Sequence, residues 1–138
     1  MLMPKKYKYR KAMRGVVKGK SKDGNTIAFG DAGLRALSTA FMTSRQIESV
    51  RVAVNRELKR EGKLWIRIFP HKPYTKRPAE TRMGKGKGDV DHYVAIVQPG
   101  RIMFEIAGVD IELAKKALKK AAYKLPVKTA VIVKKEID

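Results

Sequence analysis

The chain has 138 residues and a formal net charge of +19, from 32 Lys and Arg against 13 Asp and Glu. Such self-repulsion does nothing for a compact state and points outward, to a polyanionic partner; a pI near 10.3 is the footprint of a nucleic-acid binder. The absence of cysteine excludes disulfides and cysteine zinc sites, and no run approaches the ~18 apolar residues of a membrane span.

The length fits a single domain over residues 1–138, with a basic extension over 1–22 and a body over 23–138 that carries a long loop, 70–89. No apolar stretch near the start suggests a signal peptide. Residues 1–22 hold nine cations (Lys5, Lys6, Lys8, Arg10, Lys11, Arg14, Lys18, Lys20 and Lys22) and no acid. Tyr7 and Tyr9 are interleaved with them. This is the composition of a nucleic-acid arm, with aromatics able to stack on bases. A transit peptide is the other reading, but the run is Lys-rich and lacks a helical apolar stripe.

Asp23-Gly24-Asn25 signals a turn, and Thr26 to Phe29 reads as a short strand. Gly30 to Gly33 should break it, and Leu34 to Met42 fits either strand or loop and is taken as a second strand. Thr43-Ser44-Arg45-Gln46 matches a helical capping box, followed by Ile47, Val50, Val54 and Leu58 at helical spacing. Gly62 is the expected left-handed stop, giving a helix of about 27 Å. Arg45, Arg56, Lys59 and Arg60 lie opposite the apolar stripe. They form either a solvated face, with Glu48, Glu57 and Glu61 as counter-charge, or a contact face. The acids fall on the flanks, which favours contact.

Leu64 to Phe69 alternates as a strand, and so does Tyr93 to Val97. Pro99-Gly100 then turns the chain into Ile102, Phe104 and Ile106, so these last two strands are expected to pair as a hairpin. A second helix is expected from the N-cap Asp110 to Lys124, with Ala114, Ala117, Leu118 and Ala121 inward. Its Lys115, Lys116, Lys119 and Lys120 make a one-sign face with unfavourable i,i+4 pairs, again suiting an external polyanion. Val127 to Val133 is the last strand. The fold class is α+β: a two-layer sandwich, mainly antiparallel sheet covered by two helices.

Between strands, Pro70 to Asp89 holds three prolines, three glycines, six cations and no apolar period. A connection of that length in a compact domain is either functional or a misassigned element, and it is taken here as functional. As a hairpin, each limb could reach about 33 Å. Its Arg82-Met83-Gly84-Lys85-Gly86-Lys87-Gly88 run matches neither the Walker A nor the dinucleotide pattern, because Asp89 stands where each needs another residue. A generic phosphate cradle and a plain basic loop both fit it. Asp89, Asp91 and His92 raise a metal-dependent nuclease, yet no second cluster completes a ligand set and His71 is isolated. Trp65, Phe69, Tyr93 and Phe104 could stack on bases, but on alternating strands they read as core.

Taken together, Met3-Pro4-Lys5, Lys8 to Lys11, Thr43 to Glu48, Trp65 to Pro70, Arg82 to Gly88 and Lys124 to Thr129 resemble the bacterial large-subunit ribosomal protein sixteen family, in order and spacing. The resemblance implies an α+β sandwich with no catalytic activity, no cofactor, no metal and no small-molecule substrate. It implies binding to large-subunit rRNA, late entry in assembly and a place beside the aminoacyl-tRNA site. The implied partners are that rRNA, A-site and P-site tRNA and neighbouring large-subunit proteins, in a cytoplasmic, ribosome-bound setting without a membrane. Lys5, Lys6, Lys8, Arg10, Lys11, Arg14 and Lys18 match the segment that threads rRNA. Arg82, Met83, Gly84, Lys85, Gly86 and Lys87 match the loop facing tRNA and the peptidyl-transferase centre, and Arg82 occupies a position that some bacteria hydroxylate. His71 and Asp91-His92-Tyr93 depart from the family pattern. Composition alone also permits a free-standing RNA-binding assembly or regulatory factor.

Overall fold

The computed structural model describes Met3 and residues 24–75 and 90–134. Helix α1 (Ser44–Leu58) starts where the capping box places it. The Thr43 N–H donates to Gln46 Oε1 at 2.9 Å, and the Gln46 N–H donates to Thr43 Oγ1 at 3.2 Å. Ile47, Val50, Val54 and Leu58 are buried, as their spacing requires. The helix stops at Leu58 rather than near Gly62, because Lys59 and Arg60 already adopt left-handed φ of 53° and 66°. It is therefore about 22 Å long. Gly62 is left-handed too, and a side chain there would lie 2.6 Å from the Ala107 carbonyl oxygen.

Helix α2 (Ile111–Ala122) buries Ala114, Ala117, Leu118 and Ala121, the expected face. Asp110 occupies the N-cap position without a side-chain cap bond; its backbone carbonyl accepts from the Ala114 N–H. The small residues let α2 pack closely on α1.

Seven strands are described, and every pairing is antiparallel. They are β1 (Ala32–Ala36), β2 (Ala40–Thr43), β3 (Lys63–Ile66), β4 (Lys72–Thr75), β5 (Val90–Val97), β6 (Ile102–Ala107) and β7 (Thr129–Val133). The α+β sandwich is present, with its strand layer divided into a four-stranded sheet, β3-β6-β1-β7, and a three-stranded sheet, β2-β5-β4. Helix α1 packs on strands of both sheets, and α2 on β1 and β7.

Several local expectations are corrected. Leu34 to Met42 is not one strand: β1 begins at Ala32, takes in Gly33 and ends at Ala36, and β2 joins the other sheet. The strand expected to run to Phe69 ends at Ile66. Strands β5 and β6 do not form a hairpin. The Gly100 N–H donates to the Ala36 carbonyl at 2.8 Å and the Ala36 N–H to the Arg101 carbonyl at 2.9 Å, so the Pro99-Gly100 turn is tied to β1 and carries the chain between sheets. The true partner of β5 is β4, inside the stretch read as loop. Pro73 is admissible there because β4 is an edge strand.

A further correction concerns Thr26 to Phe29, which is not a strand. Its backbone donors go to a carboxylate instead of a ladder. Ala28, Phe29 and Gly30 N–H groups donate to Glu105 Oε1 at 2.9, 3.0 and 3.1 Å. Glu105 on β6 is fully buried, and its Oε2 lies 3.0 Å from Arg67 Nη1, an ion pair off the direction of a hydrogen bond. Arg67 Nη1 itself donates to the Thr26 carbonyl at 2.7 Å. A side chain on Gly30 would sit 2.8 Å from the Ile106 carbonyl oxygen, so glycine permits this close approach. The segment covers the sheet face away from the helices, which is why Ile102 to Glu105 and Ile106 are all buried rather than alternating.

Candidate nucleic-acid interface

Of the cations singled out in the sequence, Lys5, Lys6, Lys8, Arg10, Lys11, Arg14 and Lys18 lie outside the described residues. So do Arg82, Met83, Gly84, Lys85, Gly86, Lys87 and Asp89. The four on α1 are described, and Arg45, Arg56, Lys59 and Arg60 are all exposed. The structure gathers three of them. Arg56, Lys59 and Arg60, with Arg51, Val52, Asn55 and Gly62, line an open groove of 680 Å³ at the C-terminal end of α1. Arg45 stands apart on the first turn.

The left-handed helix end shapes this groove. Glycine is the usual occupant of such positions. Here the Lys59 N–H donates to the Arg56 carbonyl and the Arg60 N–H to the Asn55 carbonyl, closing the helix with two cationic side chains. Each non-glycine left-handed residue costs about 1 kcal/mol or more. That cost sets two charges beside Arg56.

Sequence reasoning missed Arg51, although the spacing 51, 55, 59 places it on this stripe. Arg51 forks onto Glu48, with Nε 3.0 Å from both carboxylate oxygens, and this hydrogen-bonded pair holds the Glu48 carboxyl below the ordinary glutamate value. Glu57 faces the other way, onto α2. Its carboxylate lies 2.9 Å from Lys120 Nζ and 3.5 Å from Lys116 Nζ. The Lys120 hydrogen bond, then the charges of Lys120 and Lys116, hold Glu57 below its ordinary value. The α2 face is thus not of one sign: Glu57 compensates two of its lysines, and Glu112 lies 3.6 Å from Lys115. Glu48 and Glu57 are engaged, so Glu61, exposed between Arg60 and Gly62, is the acid left beside a lining that carries four cations.

Phe104 is fully buried, as its strand position suggested. Trp65 is only half-buried and stacks on Phe29, which is exposed. Phe69 rests against the exposed His71 with ring centroids 4.9 Å apart. Among the described residues, no three His, Asp or Glu side chains gather as a metal site, and no helix is long and apolar enough to cross a membrane.

Residues 4–132 match the family described as ribosomal protein L16p/L10e. The chain belongs to that family. It is 58% identical over 137 residues to the large ribosomal subunit protein uL16 of Thermosipho melanesiensis, covering 99% of this chain and 96% of the relative. It is also 58% identical over 132 residues to the large ribosomal subunit protein uL16 of Leptospira biflexa, covering 96% of each. The match over 4–132 takes in the residues of the cationic groove and of the β4–β5 strand pair.

Proposed function

We infer that this chain is a structural, non-enzymatic constituent of the large ribosomal subunit that binds its rRNA. The observation that carries this is 58% identity over nearly the full length to large-subunit proteins of two bacteria, in a chain of net charge +19. Its partners are large-subunit rRNA, tRNA at the A and P sites and neighbouring large-subunit proteins. Its working place is the ribosome in the cytoplasm.

The mechanism is electrostatic and geometric. Lysines and arginines neutralise phosphates and release counterions, which supplies most of the affinity. The folded RNA's shape and backbone supply placement, since the A-form major groove is too deep and narrow for side chains to read. Arg56, Lys59 and Arg60 act from the α1 groove, and Arg45 from the other end of the helix. Lys5, Lys6, Lys8, Arg10, Lys11, Arg14 and Lys18 act as the extension. Arg82, Met83, Gly84, Lys85, Gly86 and Lys87 form the element facing tRNA near the peptidyl-transferase centre, connected at both ends to paired strands β4 and β5. The chain supports completion of the subunit and positioning of aminoacyl-tRNA.

Sedimentation of a cell extract through a salt series tests this. Co-migration with the large subunit near one copy per particle is expected at low salt, with release at high salt. Some 6–10 phosphate contacts lose about 10³–10⁵ in affinity between 50 and 200 mM salt. Absence from the large subunit at every salt concentration sinks the reading in favour of a free-standing RNA binder. Replacing Lys85 and Lys87 together by Ala should weaken aminoacyl-tRNA accommodation in reconstituted subunits while the body stays folded. Normal accommodation by those subunits removes the loop from the mechanism.

A further inference from the structure

A phenyl ring stands out of the surface beside the edge strand β3. Phe29 is 60% exposed. It is nonetheless firmly placed. Its N–H donates to the buried Glu105 carboxylate, as do those of Ala28 and Gly30 on either side. Its ring stacks on Trp65, with centroids 6.0 Å apart and planes 23° from parallel. Arg67 Cζ lies 5.5 Å from the Phe29 centroid, and Lys63 Nζ lies 5.1 Å from the Trp65 centroid. Lys63, Trp65 and Arg67 alternate onto the face away from Leu64 and Ile66, which pack against the core. The result is a strip of cation, aromatic and cation with an exposed ring at its side.

The buried carboxylate explains why this strip is a built feature. A buried ion pair is weak evidence for stability, because apolar residues of similar volume hold a core as well or better. What Glu105 does that an apolar residue cannot is fix direction. It holds the backbone on which Phe29 stands, and it holds the guanidinium that lies over the Phe29 ring.

We propose that Phe29 and Trp65, flanked by Lys63 and Arg67, form a stacking platform for an unpaired nucleobase of the RNA. Every base has a π-face, and single-stranded nucleotides are bound by such aromatics with cations on the adjoining phosphates. An apolar protein partner fits poorly, because the exposed Lys63 stands at one end of the strip and Arg67, already paired with Glu105, at the other. The proposal rests on the RNA-binding reading above and adds a site separate from the α1 groove.

Trp65 is the chain's sole tryptophan, so its emission reports the platform directly. The full-length chain is titrated with an end-labelled short oligoadenylate, following label anisotropy for binding and Trp65 emission for stacking. Inorganic polyphosphate serves as a probe with charge and no bases. Oligoadenylate should quench Trp65 saturably, and polyphosphate should compete for binding without quenching. Phe29→Ala should weaken oligoadenylate binding about fivefold or more and remove most of the quench, while Phe29→Tyr keeps both. Lys59→Ala should weaken binding yet leave the quench at saturation unchanged. Because Phe29 is exposed, the Ala variant should retain the unfolding midpoint of the parent. The platform is overturned if the oligoadenylate does not bind, if it binds without moving Trp65 emission, if polyphosphate moves it equally, or if Phe29→Ala binds like the parent. Failure of the ribosomal reading looks different: the chain is then missing from sedimented large subunits whatever its fluorescence does.

Discussion

Glu105→Ala should be among the most damaging single substitutions in the body. It removes the acceptor of three backbone N–H groups and the ion-pair partner of Arg67. The Gly30 donor is buried, so leaving it unsatisfied costs about 1–3 kcal/mol. The Ala28 and Phe29 donors are partly exposed and regain water, so each loses only about 0.5–1.5 kcal/mol. Arg67 is 16% exposed and keeps the Thr26 carbonyl, which places its loss at the low end of the ~3–5 kcal/mol for breaking a buried pair. These figures overlap in the groups they describe, so the net expectation is about 3–5 kcal/mol, a large share of a typical 5–15 kcal/mol stability. Urea unfolding followed by circular dichroism measures it, with Trp65 emission reporting the same region. Glu105→Gln keeps an acceptor oxygen but loses the charge, and should cost about 1.5–3 kcal/mol. Glu105→Leu is the decisive control. It restores volume and removes the charge, yet the three N–H groups stay orphaned, so it should be as harmful as Ala. A Leu variant as stable as the parent, or an Ala variant losing under ~1 kcal/mol, refutes the assignment of segment 28–30 to this carboxylate.

Leu58→Ala, at a position 2% exposed, should cost about 2–5 kcal/mol in thermal unfolding; a barely changed midpoint would mean that the α1 stripe does not carry the core. Thr43→Ala should cost about 0.5–2 kcal/mol by removing the capping hydroxyl, with Thr43→Ser largely retaining it in the same melts. Glu57 has a depressed folded pKa, so the stability it contributes is complete above the ordinary glutamate value and disappears as pH falls through the folded value. The stability gap between the parent and Glu57→Gln should therefore be open at neutral pH and close in acid. A gap that persists at the lowest pH counts against the link from α1 to Lys116 and Lys120.

Both helices were readable because their signals are local. The capping box at Thr43 and Gln46, the stripe through Leu58 and the alanine face of α2 need no knowledge of distant residues. The sheets were less readable because pairing is not local. Pro99-Gly100 is a sound turn signal, but the backbone groups at Ala36 that tie it to β1 lie far away in sequence. Strand β4 was hidden by Pro70 and Pro73, which read as breakers until the edge position is known. Thr26 to Phe29 failed for a different reason: an acceptor more than seventy residues away captured its donors. Of the candidate interface, the α1 cations Arg56, Lys59 and Arg60 were legible from the helical wheel. Arg51 was passed over, and Phe29 was concealed by its assignment to a strand.

Thr43 closes two structures at once: it is the last residue of β2, opposite Val94 on β5, and the cap of α1. No linker separates the sheet from the helix. Strand β5 is also one of the two mounts from which residues 76–89 depart. The body is in effect a bell crank, with α1 as one arm, the β4–β5 pair as the other and Thr43 as its pivot. The far end of α1 lies about 22 Å from that residue, and Thr43 joins the helix directly to β5, the strand that follows 76–89.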